Sequence, residues 1–295
     1  MSQKVRQLSP GPVAARGRVS FSQALTARLE LSRRGHSPVE NSNGLILWEG
    51  CSKLDGSPIA VIAVGLDSDS TNRKTGAMVQ TYIIRSDVHP LRAIATGADK
   101  AICGNCPARG KIIVQAGNVP LNVGRTCYVE VGRGASMVYG CYIRGGYRHA
   151  KRSELRAISR GRLIRFGTYG DPAAAPFWVW SDLAAAAVGI TGYTHQWKRF
   201  PELRGLVMAS VDSEAESSEA RASGWRTFRV GAPGNMTRMH GEALCPASFE
   251  AGKKLTCADC LSCDGLKTGR RGSIYIPGHG GAPVKKNLRA RYAIA

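Results

Sequence analysis

Between Arg162 and Val230, strand-length apolar runs alternate with helix-length segments, and this alternation constrains the fold more than any other feature of the chain. The spacing predicts a strand over Arg162 to Tyr169, a helix over Ala175 to Val188, a strand over Ile190 to Thr194 and a short helical link over Phe200 to Arg204. Leu206 to Val211 then predicts a strand, Glu214 to Ser223 a helix and Trp225 to Val230 another strand. Strands joined by crossover helices lie parallel, so the expected class is α/β, βα units around a mostly parallel sheet. In such sheets ligands gather at the carboxyl ends of the strands. Those ends carry Asp171 in FGTYGDP, Thr194 and His195 in GYTHQW, and Asp212 beside Ser213 in MASVDS.

Three strand ends that deliver polar residues to one rim are candidates for catalysis. A carboxylate can orient or deprotonate a substrate while His195 exchanges a proton near neutral pH. Each residue also has a local explanation. Asp171 precedes Pro172 and Asp212 precedes a predicted helix, so either can be a helix cap, and His195 can be a loop histidine satisfied by its neighbours.

Cysteine spacing points to metal. In CPASFEAGKKLTCADCLSC, Cys257, Cys260 and Cys263 sit three apart and Cys245 lies upstream beside Pro246. Such a loop brings successive thiolates to one centre, with an iron-sulfur cluster as the first choice and zinc as the alternative. The zinc reading has a second donor set, Cys257, Cys260, Cys263 and His279, of the kind some base-exchanging enzymes of nucleic acid use. A second group, Cys103 and Cys106 in AICGNCPARG and Cys127 in TCYVEVGRG, flanks a segment from Gly110 to Arg125 that predicts a hairpin returning Cys127 to the first pair. Three thiols leave one coordination position open, as a catalytic centre requires; Cys141 or a histidine completing a structural site is the alternative. With nine cysteines in all and no apolar segment behind the basic start of the chain, a reducing cytoplasmic setting with ligand cysteines is expected over disulfides.

The charge balance names a partner class. Lys and Arg number 41 against 21 Asp and Glu, a formal +20 that concentrates polyanions, so DNA or RNA is the expected partner. Residues 1–43 read as a basic flexible arm, 44–99 as a β-rich segment, 100–280 as the metal-binding core and 281–295 as a basic tail. Phosphate contacts are expected from Arg73 and Lys74 in DSDSTNRKTG, and from Arg144, Arg148, Lys151 and Arg152 on a predicted basic helix over Ala135 to Arg165. No uninterrupted apolar run is long enough for a membrane helix, so no membrane association is expected. Neither the P-loop pattern nor H-E-x-x-H occurs.

The order of motifs resembles a family of uncharacterised bacteriophage proteins that in turn look like distant relatives of radical-SAM enzymes. The motifs are the early cysteine pair, Cys127-Tyr128, Gly170-Asp171, Tyr193-Thr194, Ser210-x-Asp212 and the late C-x2-C-x2-C. This resemblance covers roughly residues 100 to 280. It implies a partial (β/α) barrel, a cluster held by Cys103, Cys106 and Cys127, an auxiliary cluster held by Cys245, Cys257, Cys260 and Cys263, and S-adenosylmethionine as a possible cofactor met at Thr194 and Ser210. It also implies host cytoplasm as the setting. Radical-SAM proteins use C-x3-C-x2-C, whereas this chain has C-x2-C-x20-C, so a barrel that keeps the metal without the cofactor fits the same residues.

Overall fold

The computed structural model describes residues 43–68, 72–115, 117–267, 269 and 272–293. The basic arm expected at 1–43 lies, apart from Asn43, outside them. Strand β2 (Pro58–Val64) is apolar along its length, and such a strand belongs inside a sheet covered on both faces. It pairs antiparallel with β1 (Gly44–Cys51) on one side and β3 (Val79–Arg85) on the other.

The remaining elements follow the predicted alternation. The hairpin of β4 (Lys111–Gln115) and β5 (Val119–Val123) stands apart from the main sheet. Then come β6 (Arg148–His149), β7 (Leu163–Tyr169), β8 (Gly189–Thr194), β9 (Met208–Val211), β10 (Thr227–Gly231), β11 (Glu242–Leu244) and β12 (Ser273–Pro277). The main sheet has ten strands in the order β11-β12-β10-β9-β8-β7-β3-β2-β1-β6. From β3 through β7, β8, β9 and β10 to β12 every neighbouring pair is parallel. Among the described residues no pairing joins β11 to β6, so the strands do not close into a ring.

Crossover helices cover the sheet. Phe177–Ala184 links β7 to β8 and buries Trp180, which packs 5.1 Å from Phe166 and donates its indole N–H to Pro172 O. Glu214–Ala222 links β9 to β10 and is capped by Ser213, whose hydroxyl accepts from Glu216 N.

Two segments depart from expectation. The long basic helix predicted over Ala135 to Arg165 is broken into a helix at Gly134–Ile143, the two-residue β6 and a short helix at Leu155–Ser159. The break is a Schellman turn: Gly145 N and Gly146 N donate to Tyr142 O and Cys141 O, with Gly145 at φ 73°. Residues 282–293, expected as part of a basic extension, form a docked helix, Ala282–Ala293, in which Leu288 is buried and Asn287 donates to Arg125 O. No helix among the described residues is long and apolar enough to cross a membrane.

Where β3 meets β7 the register shifts, with Gln80 opposite Arg165 but Tyr82 opposite Tyr169. Thr81 stitches the irregularity, its hydroxyl donating to Arg165 O and accepting from Gly167 N. Gly170, just beyond, has φ 85°, and a Cβ there would lie 2.7 Å from Ile83 Cβ and 3.0 Å from Ile83 O. Gly170→Ala is therefore expected to destabilise the protein by about 1–3 kcal/mol. Gly56→Ala is the control: φ is 77° but nothing lies within 4 Å of the new Cβ, so the loss should be smaller. Equal losses in urea unfolding would contradict the packing argument.

Candidate functional site

The carboxyl ends of β7, β8, β9 and β10 border a cavity of about 140 Å³. Asp171, His195, Ser210 and Asp212 line it from these ends, and Cys103 at the end of the short helix Lys100–Cys103, Cys106 just after it and Cys127 beyond the β4–β5 hairpin line it from the preceding part of the chain. The C-terminal helix contributes Leu288 and Arg291 to the wall. Thr194 does not line it. It is 1% exposed, its hydroxyl accepts from Gln196 N, and it hydrogen-bonds Asp171.

That part of the chain is folded for this purpose by its hairpin. The ends of β4 and β5 return the chain so that Thr126 N and Cys127 N both donate to Ala108 O, which brings Cys127 beside the Cys103 to Cys106 turn. Gly104, at φ 57°, leaves room for Gln196, whose amide donates to Cys103 O. Burial raises the Cys103 thiol well above its ordinary pKa, and the neighbouring Cys106 and Asp99 push the same way. Burial also raises Cys127, although Arg125 opposes it.

His195 Nε2 lies 3.2 Å from Asp212 Oδ2 and 4.0 Å from Cys106 Sγ. Both partners meet the same ring nitrogen, so this is not the thiol–imidazole–carboxylate relay of a cysteine protease, in which each partner takes its own nitrogen. Burial would lower the His195 pKa, but Cys106 and Asp212 outweigh it and hold the imidazole well above its usual value. Asp212 is pushed up by burial, yet the His195 hydrogen bond and Arg291, 3.4 Å away, leave it below the usual carboxylate range.

Asp171 has a different role from the one expected of a catalyst. Its Oδ1 accepts from Ala173 N at 3.0 Å and its Oδ2 from His195 N at 2.8 Å, and its own N–H donates to Ile102 O. Burial raises its pKa against these hydrogen bonds. Both oxygens are committed, so Asp171 caps the turn after β7 and positions His195. Asp171→Ala orphans two amides and is expected to cost about 2–4 kcal/mol in urea unfolding, whereas Asp171→Asn, which keeps one acceptor oxygen, should lose only part of that. Similar stabilities for the two variants would contradict that role.

A second, smaller recess is lined by Cys245, Cys257, Cys260 and Cys263 together with Pro246 and Ile274. The short helix Cys257–Cys260 has a capping box: Thr256 Oγ1 accepts from Asp259 N, and Asp259 accepts from Thr256 N. Cys257 N and Ala258 N donate to Lys74 O and Thr75 O, Cys245 N to Tyr275 O, and Gly192 N to Cys263 O. Burial pushes the Cys263 thiol up to about 12, aided by the three neighbouring cysteines and opposed by a hydrogen bond from Tyr193. No disulfide joins any of the nine cysteines. Among the described residues no group of three or more His, Cys, Asp or Glu is drawn together at metal-holding geometry. In type the donors are those of a thiophilic metal, and four thiols line the recess while three more line the cavity.

His279 lines the cavity and not the four-cysteine recess, so the set of Cys257, Cys260, Cys263 and His279 is not brought together. Its Nε2 is 2.7 Å from Lys74 Nζ, and burial together with that cation lowers its pKa to about 4. Lys74 is consequently an interior donor. Arg73, Arg144, Arg148, Lys151 and Arg152 are exposed, with Arg148 paired to Glu154 and Arg152 paired to Asp182 over the Trp178 ring.

Arg165, and the part played by Tyr193 beyond its place in the Tyr193-Thr194 motif, emerge only from the structure. Tyr193 lines both the cavity and the recess. Buried Arg165 donates to Tyr128 Oη at 3.1 Å, hydrogen-bonds Tyr193 and lies 5.4 Å from its ring centre. An arginine in the apolar strand LIRFGTY was the available signal. No protein-family model, curated protein or solved structure matches the chain.

Proposed function

We propose that the protein is a metal-cluster enzyme, iron-sulfur in type, that acts on nucleic acid or its precursors. Cys103, Cys106 and Cys127 surround the reactive centre, and Cys245, Cys257, Cys260 and Cys263 surround a second, structural or electron-relaying one. One observation carries the reading. Seven cysteines from four separate stretches reach two recesses that share Tyr193 as a wall, and one recess also holds His195 and Asp212 at successive strand ends. When bound, an iron-sulfur cluster supplies one-electron chemistry. In this reading β3, β7 to β10 and β12 are an arc of a (β/α) barrel, and S-adenosylmethionine is the candidate organic cofactor, with Ser210 on its wall.

The chain's own groups do the rest. His195 holds or moves a proton at Nε2, Asp212 balances its charge, and Asp171 fixes the imidazole by its backbone. The excess of basic residues draws a polyanion to the surface, where Arg73, Arg144 and Lys151 are exposed to phosphates and Arg148 and Arg152 would first exchange their carboxylate partners.

Nucleosides from the nucleic acid of cells producing the protein, analysed by mass spectrometry, test the reading. The expected result is an altered nucleoside that falls about 10²–10⁴-fold with His195→Ala while Tm is retained. The same level with parent and variant would count against it.

A further inference from the structure

Two hydroxyls in the cavity wall have no hydrogen-bond partner: Thr126 Oγ1 and Tyr169 Oη, on residues 5% and 3% exposed. Both residues line the cavity together with Arg125. Buried hydroxyls are ordinarily satisfied, and leaving one without a partner is destabilising, so two on residues of one wall offer hydrogen-bonding capacity that a ligand can meet.

Charge and shape define the ligand. Behind this wall Asp99 faces two guanidiniums. Arg109 holds its Oδ1 through Nε at 3.0 Å and Nη2 at 2.5 Å, whereas Arg125 stands 3.7 Å from Oδ2, beyond hydrogen-bond distance. One carboxylate against two guanidiniums leaves a positive excess. Aromatic rings form other parts of the lining: Tyr193 packs 4.4 Å from Phe228, and Tyr128 packs 5.0 Å from His279. A flat aromatic group joined to an oxyanion satisfies both kinds of wall.

We propose that Arg125, Thr126 and Tyr169 form a subsite for the phosphate of a nucleotide whose base lies against the aromatic lining. The proposal rests on the nucleic-acid-directed reading above and names where its substrate sits. The phosphate can belong to a free mononucleotide or to a strand that delivers one nucleotide into the cavity; the chemistry recognised is the same.

Thr126→Val and Tyr169→Phe test it, because each removes only the partnerless hydroxyl. Calorimetric titrations of the full chain would use adenosine and guanosine 5′-monophosphates, the matching nucleosides, and short single-stranded DNA and RNA. Parent protein should bind nucleotides more tightly than nucleosides. Each variant should weaken nucleotide binding about tenfold, leave nucleoside binding unchanged and keep or raise Tm. Tight mononucleotide binding identifies a free precursor, and binding of oligonucleotides alone identifies a strand; either upholds the subsite. Parent-like affinity in the variants, a fall in Tm, or no binding of any probe by the parent overturns it. Iron and zinc content of the same preparations separates the two readings, since a metal-loaded parent without phosphate preference sinks the subsite alone.

Discussion

Asp264→Ala is expected to destabilise the protein by about 3–5 kcal/mol, because it strands a buried guanidinium. Arg226 and Asp264 are 4% and 2% exposed, and their charges meet at 2.7 Å. Arg226 also donates to Gly265 O, Ser262 O and Gly272 O, each at 2.7 Å, so one side chain pins the end of the cysteine segment to the start of β10. Urea unfolding should show the loss, and limited proteolysis should show residues 245–266 cut first. Replacing both partners by apolar residues, Arg226→Met with Asp264→Leu, should recover part of the stability. A loss below about 1 kcal/mol in the single variant would contradict the pinning role.

Cys260→Ala and Cys103→Ala should have separable effects. Cys260 lines the recess whose segment is tied to Lys74, Thr75, Tyr275 and Gly192, so on the proposed reading losing the metal held there should loosen that whole face. Metal binding at a structural site is folding free energy, about 10–16 kcal/mol for zinc in zinc-finger peptides, so removing one of four ligands should lower Tm steeply. Cys103 lines the cavity from a segment already held by the Arg109 pair with Asp99 and by Gln196. On the same reading its loss should empty the proposed cavity site with a much smaller change in Tm. If either variant emptied both sites, the division into two centres would fail.

The strand and helix alternation was legible because period and turn residues agree from Arg162 to Val230, and every predicted element there has a counterpart within a few residues. The rim was legible for the same reason: strand ends in a parallel sheet face one side. Side-chain direction was not. Neighbours on a strand point to opposite faces, and nothing in GYTHQW fixes the parity, so the structure places Tyr193 in the cavity and turns Thr194 toward Asp171. The C-terminal helix was obscured because Leu288 is its one buried apolar residue, and what docks it further is the polar reach of Asn287, Arg291 and the Tyr292 hydroxyl, which donates to Val230 O. The break at Gly145 and Gly146 was present in the sequence, but the run of basic residues beyond it masked the stop.

Anaerobic purification followed by a visible absorption spectrum and elemental analysis for iron, acid-labile sulfide and zinc tests the central claim most directly. A coloured protein with broad visible absorption, and with iron and sulfide that disappear from the cysteine variants, is the predicted result. A colourless protein carrying stoichiometric zinc, or no metal at all, would contradict the cluster enzyme.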